Sequence, residues 1–188
     1  MTKSKLQVVI TSTREGRQGP VVATWFANEA REQPQFEVEL VDLAEFKLPV
    51  FDEPNHPVRQ EYTHEATKAW AAKVNEADAF VFVIPEYDYF APASLINALQ
   101  YLAKEWSYKP VGFVSYGGIS GGLRSVQSVK PLVTSLKMMP IPEGVIIPFF
   151  AKYITDGVFV PDEIHQTSRS VMLNELARWT EAMKTLRA

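Results

Sequence analysis

Two segments of this 188-residue chain carry the side chains that could do chemistry: Thr11-Ser12-Thr13-Arg14-Glu15-Gly16-Arg17-Gln18-Gly19-Pro20 and Pro85-Glu86-Tyr87-Asp88-Tyr89-Phe90-Ala91-Pro92. Each follows a short apolar run, so each reads as a loop at the end of a strand. The first sets the hydroxyls of Ser12 and Thr13 and the guanidiniums of Arg14 and Arg17 where a strand would hand over to a helix. With Gly19 as cap and Pro20 as first helical residue, free N–H groups would point into the loop and hold a phosphate together with those side chains. A polar, well-capped turn with solvated arginines explains this loop equally well on its own, because it follows no GxGxxG pattern. The second segment offers backbone and aromatic surface to a flat ring. A third, Ser115-Tyr116-Gly117-Gly118-Ile119-Ser120-Gly121-Gly122, has four glycines that permit close approach to a flat ligand, although glycine clusters also make ordinary tight turns.

The elements that must position these loops are legible as alternating apolar patterns. Continuous β-branched and aromatic runs at Leu6–Ile10, Ala79–Ile84, Val111–Ser115 and Gly144–Phe149 predict strands buried on both faces, as in a parallel sheet. Phe36–Leu40 alternates apolar and polar residues and predicts a strand near an edge. Between them, three-to-four spacings predict helices: Val22, Trp25/Phe26 and Ala30; Ala66, Ala69/Trp70 and Val74; Leu95, Ala98/Leu99 and Leu102; Leu123, Val126 and Val133. Met172, Leu176, Trp179, Met183 and Leu186 predict a long closing helix. Pro131 should kink or split the fourth helix, and Leu48–Gln60, with three prolines and no periodicity, should be a surface loop.

Five strands with intervening helices make an α/β fold, a three-layer doubly wound sheet in one domain spanning residues 1–188. In such sheets ligands bind beyond the carboxyl ends of the strands, where strand order reverses. In the flavodoxin-like order 2-1-3-4-5 that point lies between strands one and three. The first two loops would therefore meet there, and a ligand with a phosphate and a flat ring, flavin mononucleotide (FMN), would span them.

Composition narrows the chemistry. The chain has no cysteine, which excludes disulfides, cysteine-ligated clusters and thiol catalysis, so redox work would need a borrowed cofactor. Its 22 acidic and 19 basic residues are mixed along the chain, giving a net charge of −3 without the basic stripe that nucleic acid requires. The apolar run after Met1-Thr2-Lys3-Ser4-Lys5 is too short for a signal-peptide core or a membrane span, so the expected setting is cytoplasmic. His56, His64 and His165 lack metal-ligand spacing and read as surface residues. Glu86 and Asp88 could be acid–base groups, but acids in a turn at a sheet's end are more often solvated or capping. Trp25 and Trp70 fit helix stripes and read as core.

These motifs resemble the NADPH-dependent FMN reductase family, which includes flavin-dependent quinone reductases and azoreductases. Ser12-Thr13-Arg14 with Gly16-Arg17 is similar to that family's GSTRxGR phosphate loop, and Pro85-Glu86-Tyr87 to its PEYN loop. Pro92, Leu95 and Asn97-Ala98 fall on its PxxLKNA pattern, and Ser115-Tyr116-Gly117-Gly118 with Gly121-Gly122-Leu123-Arg124 on its glycine-rich loop. The resemblance runs through about Phe150. It implies FMN held non-covalently, NAD(P)H as hydride donor, a ping-pong transfer to a quinone, azo or flavin acceptor, and a homodimer or homotetramer with the flavin near a subunit interface. Ser12, Thr13, Arg14, Arg17, Gln18, Gly19, Pro20 and Val21 would surround the phosphate. Pro85, Glu86, Tyr87, Asp88 and Tyr89 would meet the isoalloxazine, and Ser115, Tyr116, Gly117 and Gly118 its far edge. The flavin would carry the chemistry, with no protein nucleophile or metal. For the oligomer, Tyr101, Trp106 and Tyr108 are the candidate contact aromatics, unless they pack inside the monomer. Three positions depart from the pattern: Thr11 replaces a glycine, Asp88 an asparagine and Ile96 a lysine. Asp88 would oppose negative charge on a reduced flavin or, failing contact with the ring, face solvent or cap the following helix.

Overall fold

A computed structural model describes residues 3–187. Its core is a five-stranded sheet in which β1 (Ser4–Ile10) lies between β2 (Phe36–Asp42) and β3 (Ala79–Pro85), followed by β4 (Pro110–Gly117) and β5 (Met139–Pro148). All four pairings are parallel, and the order is β2-β1-β3-β4-β5. The central strands are apolar on both faces because both are covered, and β3 is buried along its whole length. Helices α1 (Gly19–Arg31) and α6 (Glu163–Lys184) cover one face. On the other lie α3 (Glu65–Asn75), α4 (Ala93–Gln100) and α5 (Leu123–Ser135), with the short α2 (Leu43–Phe46) following β2 directly. The α1 side is cored by Val22, Phe26, Met172 and Leu176, the other by Trp70, Leu99, Trp106 and Val133. A small hairpin, β6 (Ile154–Thr155) and β7 (Val158–Phe159), follows β5 and packs its Phe159 on Trp25 at 4.8 Å between ring centroids.

Several local expectations are corrected. α5 runs unbroken through Pro131, which sits on the exposed face, so the carbonyl of the exposed Gln127 that loses its partner is open to water. β5 starts five residues before Gly144, carrying Pro140 and Pro142; as the sheet's edge it tolerates their missing N–H groups, and its register against β4 slips between Val111 and Phe113. His165 is not at the surface: it is buried, its Nδ1 accepts from the Asp162 N–H at 3.1 Å at the start of α6, and its ring packs on Tyr153. Tyr101 and Trp106 are core residues rather than contact aromatics, with the Trp106 indole N–H donating to the Leu99 carbonyl. Leu186 lies beyond the end of α6 and is exposed. α1 begins one residue earlier than expected, with Gln18 as its cap, so Pro20 is its second residue.

The proline-rich stretch is a surface loop, but a tethered one. Asn97 on α4 donates to the Pro49 carbonyl at 2.6 Å and accepts from the Phe51 N–H at 2.9 Å. Glu53 is buried and accepts from the Thr63 N–H, the Thr63 hydroxyl and the His64 N–H. Burial alone would raise its pKa, but these donors prevail and hold the carboxyl at about 2.

Candidate functional site

The sheet brings the three loops to one edge. Ile10 pairs with Val83 and Pro85 with Tyr116, so the segments following β1, β3 and β4 leave side by side. Thr11 seals the first junction, its hydroxyl donating to the Val83 carbonyl at 2.8 Å and its own carbonyl accepting from the Ser94 hydroxyl at 2.6 Å. That contact uses a side chain that a glycine would lack.

The next residue has no such partner. Ser12 is fully buried, and its Oγ makes no well-formed hydrogen bond; the polar group beside it is the Tyr116 phenol, with which it interacts weakly. Ser12 Oγ lies against Gly19, the first residue of α1, so closely that a Cβ at Gly19 would collide with it; the same Cβ would come within 3.1 Å of the Tyr116 phenol oxygen and of Ile10 Cγ2. Glycine is thus required here by space rather than by backbone freedom. The Tyr116 phenol is itself buried, and burial pushes its pKa up to about 12, so it stays a neutral hydroxyl. Two neutral hydroxyls, one from the loop after β1 and one from β4, therefore converge on the first turn of a 13-residue helix, whose Gln18 cap supplies no side-chain bond. A buried hydroxyl without a well-formed hydrogen bond at the positive end of a helix fits an anionic oxygen.

The two arginines of this loop have different partners. Arg17 is forked onto Asp42 at the end of β2, at 2.7 and 2.6 Å, and also donates to the Ser12 carbonyl at 2.5 Å. Asp42 caps α2 through the Ala44 N–H as well. The charge of Arg17 is neutralised, and its work is to hold the loop against β2. Arg14 is exposed, donates through Nε to the Tyr87 hydroxyl at 3.2 Å and has no carboxylate partner among the described residues. It is the cation of this loop left for an incoming anion, and it already spans loops one and two.

Loop two is a tight hairpin. Tyr87 and Phe90 exchange backbone hydrogen bonds at 3.0 and 2.9 Å, leaving Asp88 (φ 48°) and Tyr89 (φ 71°) as the two turn residues. Both positions fall in the left-handed region, which aspartate tolerates better than most residues. Asp88 is exposed and does not cap α4, whose start at Pro92 has no side-chain cap. Glu86, expected to be solvated or capping, is neither: its side chain is only 8% exposed and ion-pairs with Arg124 on α5. In loop three, Gly117 packs on Gly122 and on Glu86, and Gly118 has open space where a side chain would stand. Among the described residues there is no group of three or more His, Asp or Glu side chains that could hold a metal, and no helix is long and apolar enough to cross a membrane.

All the nominated residues lie on these three loops, yet their grouping differs from the expected one. The Tyr116 phenol sits beside Ser12 and Gly19, at the phosphate loop rather than the outer edge of loop three. Asp42 and Arg124 were missed as site-shaping residues. Asp42 closes the edge strand and Arg124 opens α5, but nothing in the local sequence pattern says which opposite charge each will meet.

The arrangement has relatives. Residues 4–152 match the family description of NADPH-dependent FMN reductases. An NAD(P)H-dependent FMN reductase from Schizosaccharomyces pombe is 40% identical over 159 residues, covering 84% of this chain and 79% of its own. An NAD(P)H:quinone oxidoreductase from Solanum tuberosum is 34% identical over 56% of this chain and 58% of its own. Among solved structures, the flavoenzyme NAD(P)H:(acceptor) oxidoreductase of Paracoccus denitrificans superposes with a TM-score of 0.72 at 19% identity, covering 96% of this chain and 98% of that one. The family match, together with a site edge that suits a phosphate and a flat ring, identifies the chain as a member of the NADPH-dependent FMN reductase family, oxidoreductases that work with FMN and NAD(P)H.

Proposed function

We propose that FMN lies across the three loops and that the protein transfers reducing equivalents from NAD(P)H to a small quinone, azo or flavin acceptor by a ping-pong route. The observation that carries the reading is the buried Ser12 hydroxyl beside Gly19, without a well-formed hydrogen bond, with the unneutralised Arg14 on the same loop. In this reading Ser12, Thr13, Arg14 and the first turn Gly19–Val21 hold the phosphate. Tyr116 supplies a further neutral hydroxyl, while Arg17 and Gln18 shape the loop. Pro85–Tyr89 would offer backbone groups to the isoalloxazine, and Ser115, Gly117 and Gly118 would leave room at its edge. When bound, FMN supplies a two-electron hydride acceptor and donor, so NAD(P)H and the acceptor use one position in turn.

The chain's own part is to bind and orient. The open space over Gly118 and the exposed Tyr89, Phe90, Ile119 and Phe149 around the carboxyl ends of β3, β4 and β5 suit a flat apolar acceptor or a second subunit. This patch supports a homo-oligomer. Initial-rate measurements with NAD(P)H and a soluble quinone test the reaction order: parallel double-reciprocal lines are expected, and intersecting lines would replace alternating occupancy by a ternary complex.

A further inference from the structure

The carboxylate of Glu86 is more heavily engaged than a loop residue needs to be. Oε2 accepts from the Ser120 hydroxyl, and Oε1 accepts from Arg124 Nε at 2.8 Å and faces Arg124 Nη2 at 2.5 Å. The pair is lopsided, with the Glu86 side chain 8% and the Arg124 side chain 42% exposed. The buried member thus depends on its partner for compensation, whereas the arginine could be solvated without it. The guanidinium then does a second thing. Its central carbon lies 3.7 Å from the centroid of the Tyr89 ring, which is otherwise 63% exposed.

Tyr89 is the second of the two turn residues with positive φ, and Asp88 the first. An aromatic side chain gains nothing locally from that backbone region, so the turn needs an outside hold. From beyond the loop the turn is held by the Arg124 stack on Tyr89, the Arg14 bond to Tyr87 and the Ser125 hydroxyl, which donates to the Phe90 carbonyl at 2.6 Å; of these, the Arg124 stack is the one that engages a residue of positive φ. Arg124 leads from the first turns of α5, just after Gly121-Gly122, so one side chain ties loop two to loop three.

We propose that Arg124 is a positioning residue for the flavin ring: clamped by Glu86 and stacked on Tyr89, it holds the Asp88–Tyr89 turn in the conformation that presents the loop-two backbone to the ring. This rests on the placement of FMN under the proposed function. The clamp acts on the ring end of the ligand, so its loss is felt by any molecule that carries the ring, with or without a phosphate. It also acts through turn conformation, so freeing the turn from strain must substitute for it.

The test uses lumiflavin, riboflavin and FMN as probes, with dissociation constants from flavin fluorescence quenching and folding checked by circular dichroism. Arg124→Ala should weaken all three by the same factor, about tenfold, the size of one stacked and ion-paired contact. Adding Tyr89→Gly to Arg124→Ala should recover binding to within about threefold of the parent, because glycine takes φ near 71° freely and the stack it gives up is already lost. If Arg124→Ala unfolds because Glu86 is left unpaired, Glu86→Gln with Arg124→Met removes both charges and should show the same equal loss. Unchanged lumiflavin affinity in the arginine variants, or no recovery with Tyr89→Gly, overturns the positioning role. Failure of the parent protein to bind any of the three flavins overturns the placement of FMN instead.

Discussion

Arg14 and Arg17 sit three residues apart in one loop and should respond to mutation in opposite ways. Arg14 is exposed and unneutralised, bonded only to the Tyr87 hydroxyl and the neighbouring Glu15 carbonyl, so it is free to meet the phosphate, which carries about −1.5 to −2 charge near neutral pH. A charge-assisted hydrogen bond contributes on the order of 1.5–3 kcal/mol, so Arg14→Ala should weaken FMN by roughly 10- to 150-fold. Riboflavin, which lacks the phosphate, should bind as before, and the melting temperature should not move. Arg17 is forked onto Asp42, and both side chains are under 20% exposed. Arg17→Ala strips a part-buried carboxylate of its partner and should cost about 2–3 kcal/mol of stability, discounted from the value for a fully buried pair. Its effect on the FMN-to-riboflavin ratio should stay within about threefold. Titrating both flavins against both variants, with thermal melts alongside, decides it. A larger FMN-specific loss in Arg17→Ala than in Arg14→Ala would refute the assignment, and so would an equal loss of FMN and riboflavin in Arg14→Ala.

Gly19→Ala places a methyl on Ser12 Oγ and against Tyr116 and should cost about 1–3 kcal/mol in the melting curve while displacing FMN; normal FMN affinity would show that the cradle is not the phosphate site. Glu53 ties down the proline-rich loop with a carboxyl at about 2, against an ordinary 4.5. The unfolded chain therefore takes up this proton first as pH falls, so the contribution is complete above pH 4.5 and lost toward pH 2. The contribution is on the order of 1–3 kcal/mol, and Glu53→Gln should flatten the acid limb of the stability profile by that amount. Asp88→Asn keeps a residue suited to the left-handed turn and removes an exposed charge, so the melting temperature should hold and the two-electron potential of bound FMN rise by about 10–30 mV. A lowered potential would contradict it.

The sheet order and the meeting of the three loops were legible because continuous apolar runs fix buried parallel strands, and parallel order fixes which loops leave the same edge. The role of each charged residue was not. The fork of Arg17 on Asp42 and the pairing of Glu86 with Arg124 join residues that the chain separates widely, and local pattern carries no sign of which opposite charges will meet. Pro131 and His165 fail for a similar reason. A proline is tolerated in a helix when the freed carbonyl faces water, and a histidine is buried when a neighbouring turn gives its nitrogen a donor; both depend on which face the fold turns inward. Asp88 illustrates a third case, since its tolerance of a left-handed turn is a local property that the family comparison hid behind its charge.

The central claim is that this chain binds FMN at the three-loop edge and reduces it with NAD(P)H. The absorption spectrum of the purified protein, reconstituted with FMN and then mixed anaerobically with NAD(P)H, tests it most directly. The account predicts a yellow protein with an FMN band that bleaches rapidly on mixing and returns when a quinone is added. A protein that stays colourless after reconstitution, or an FMN band that NAD(P)H leaves intact, would contradict it.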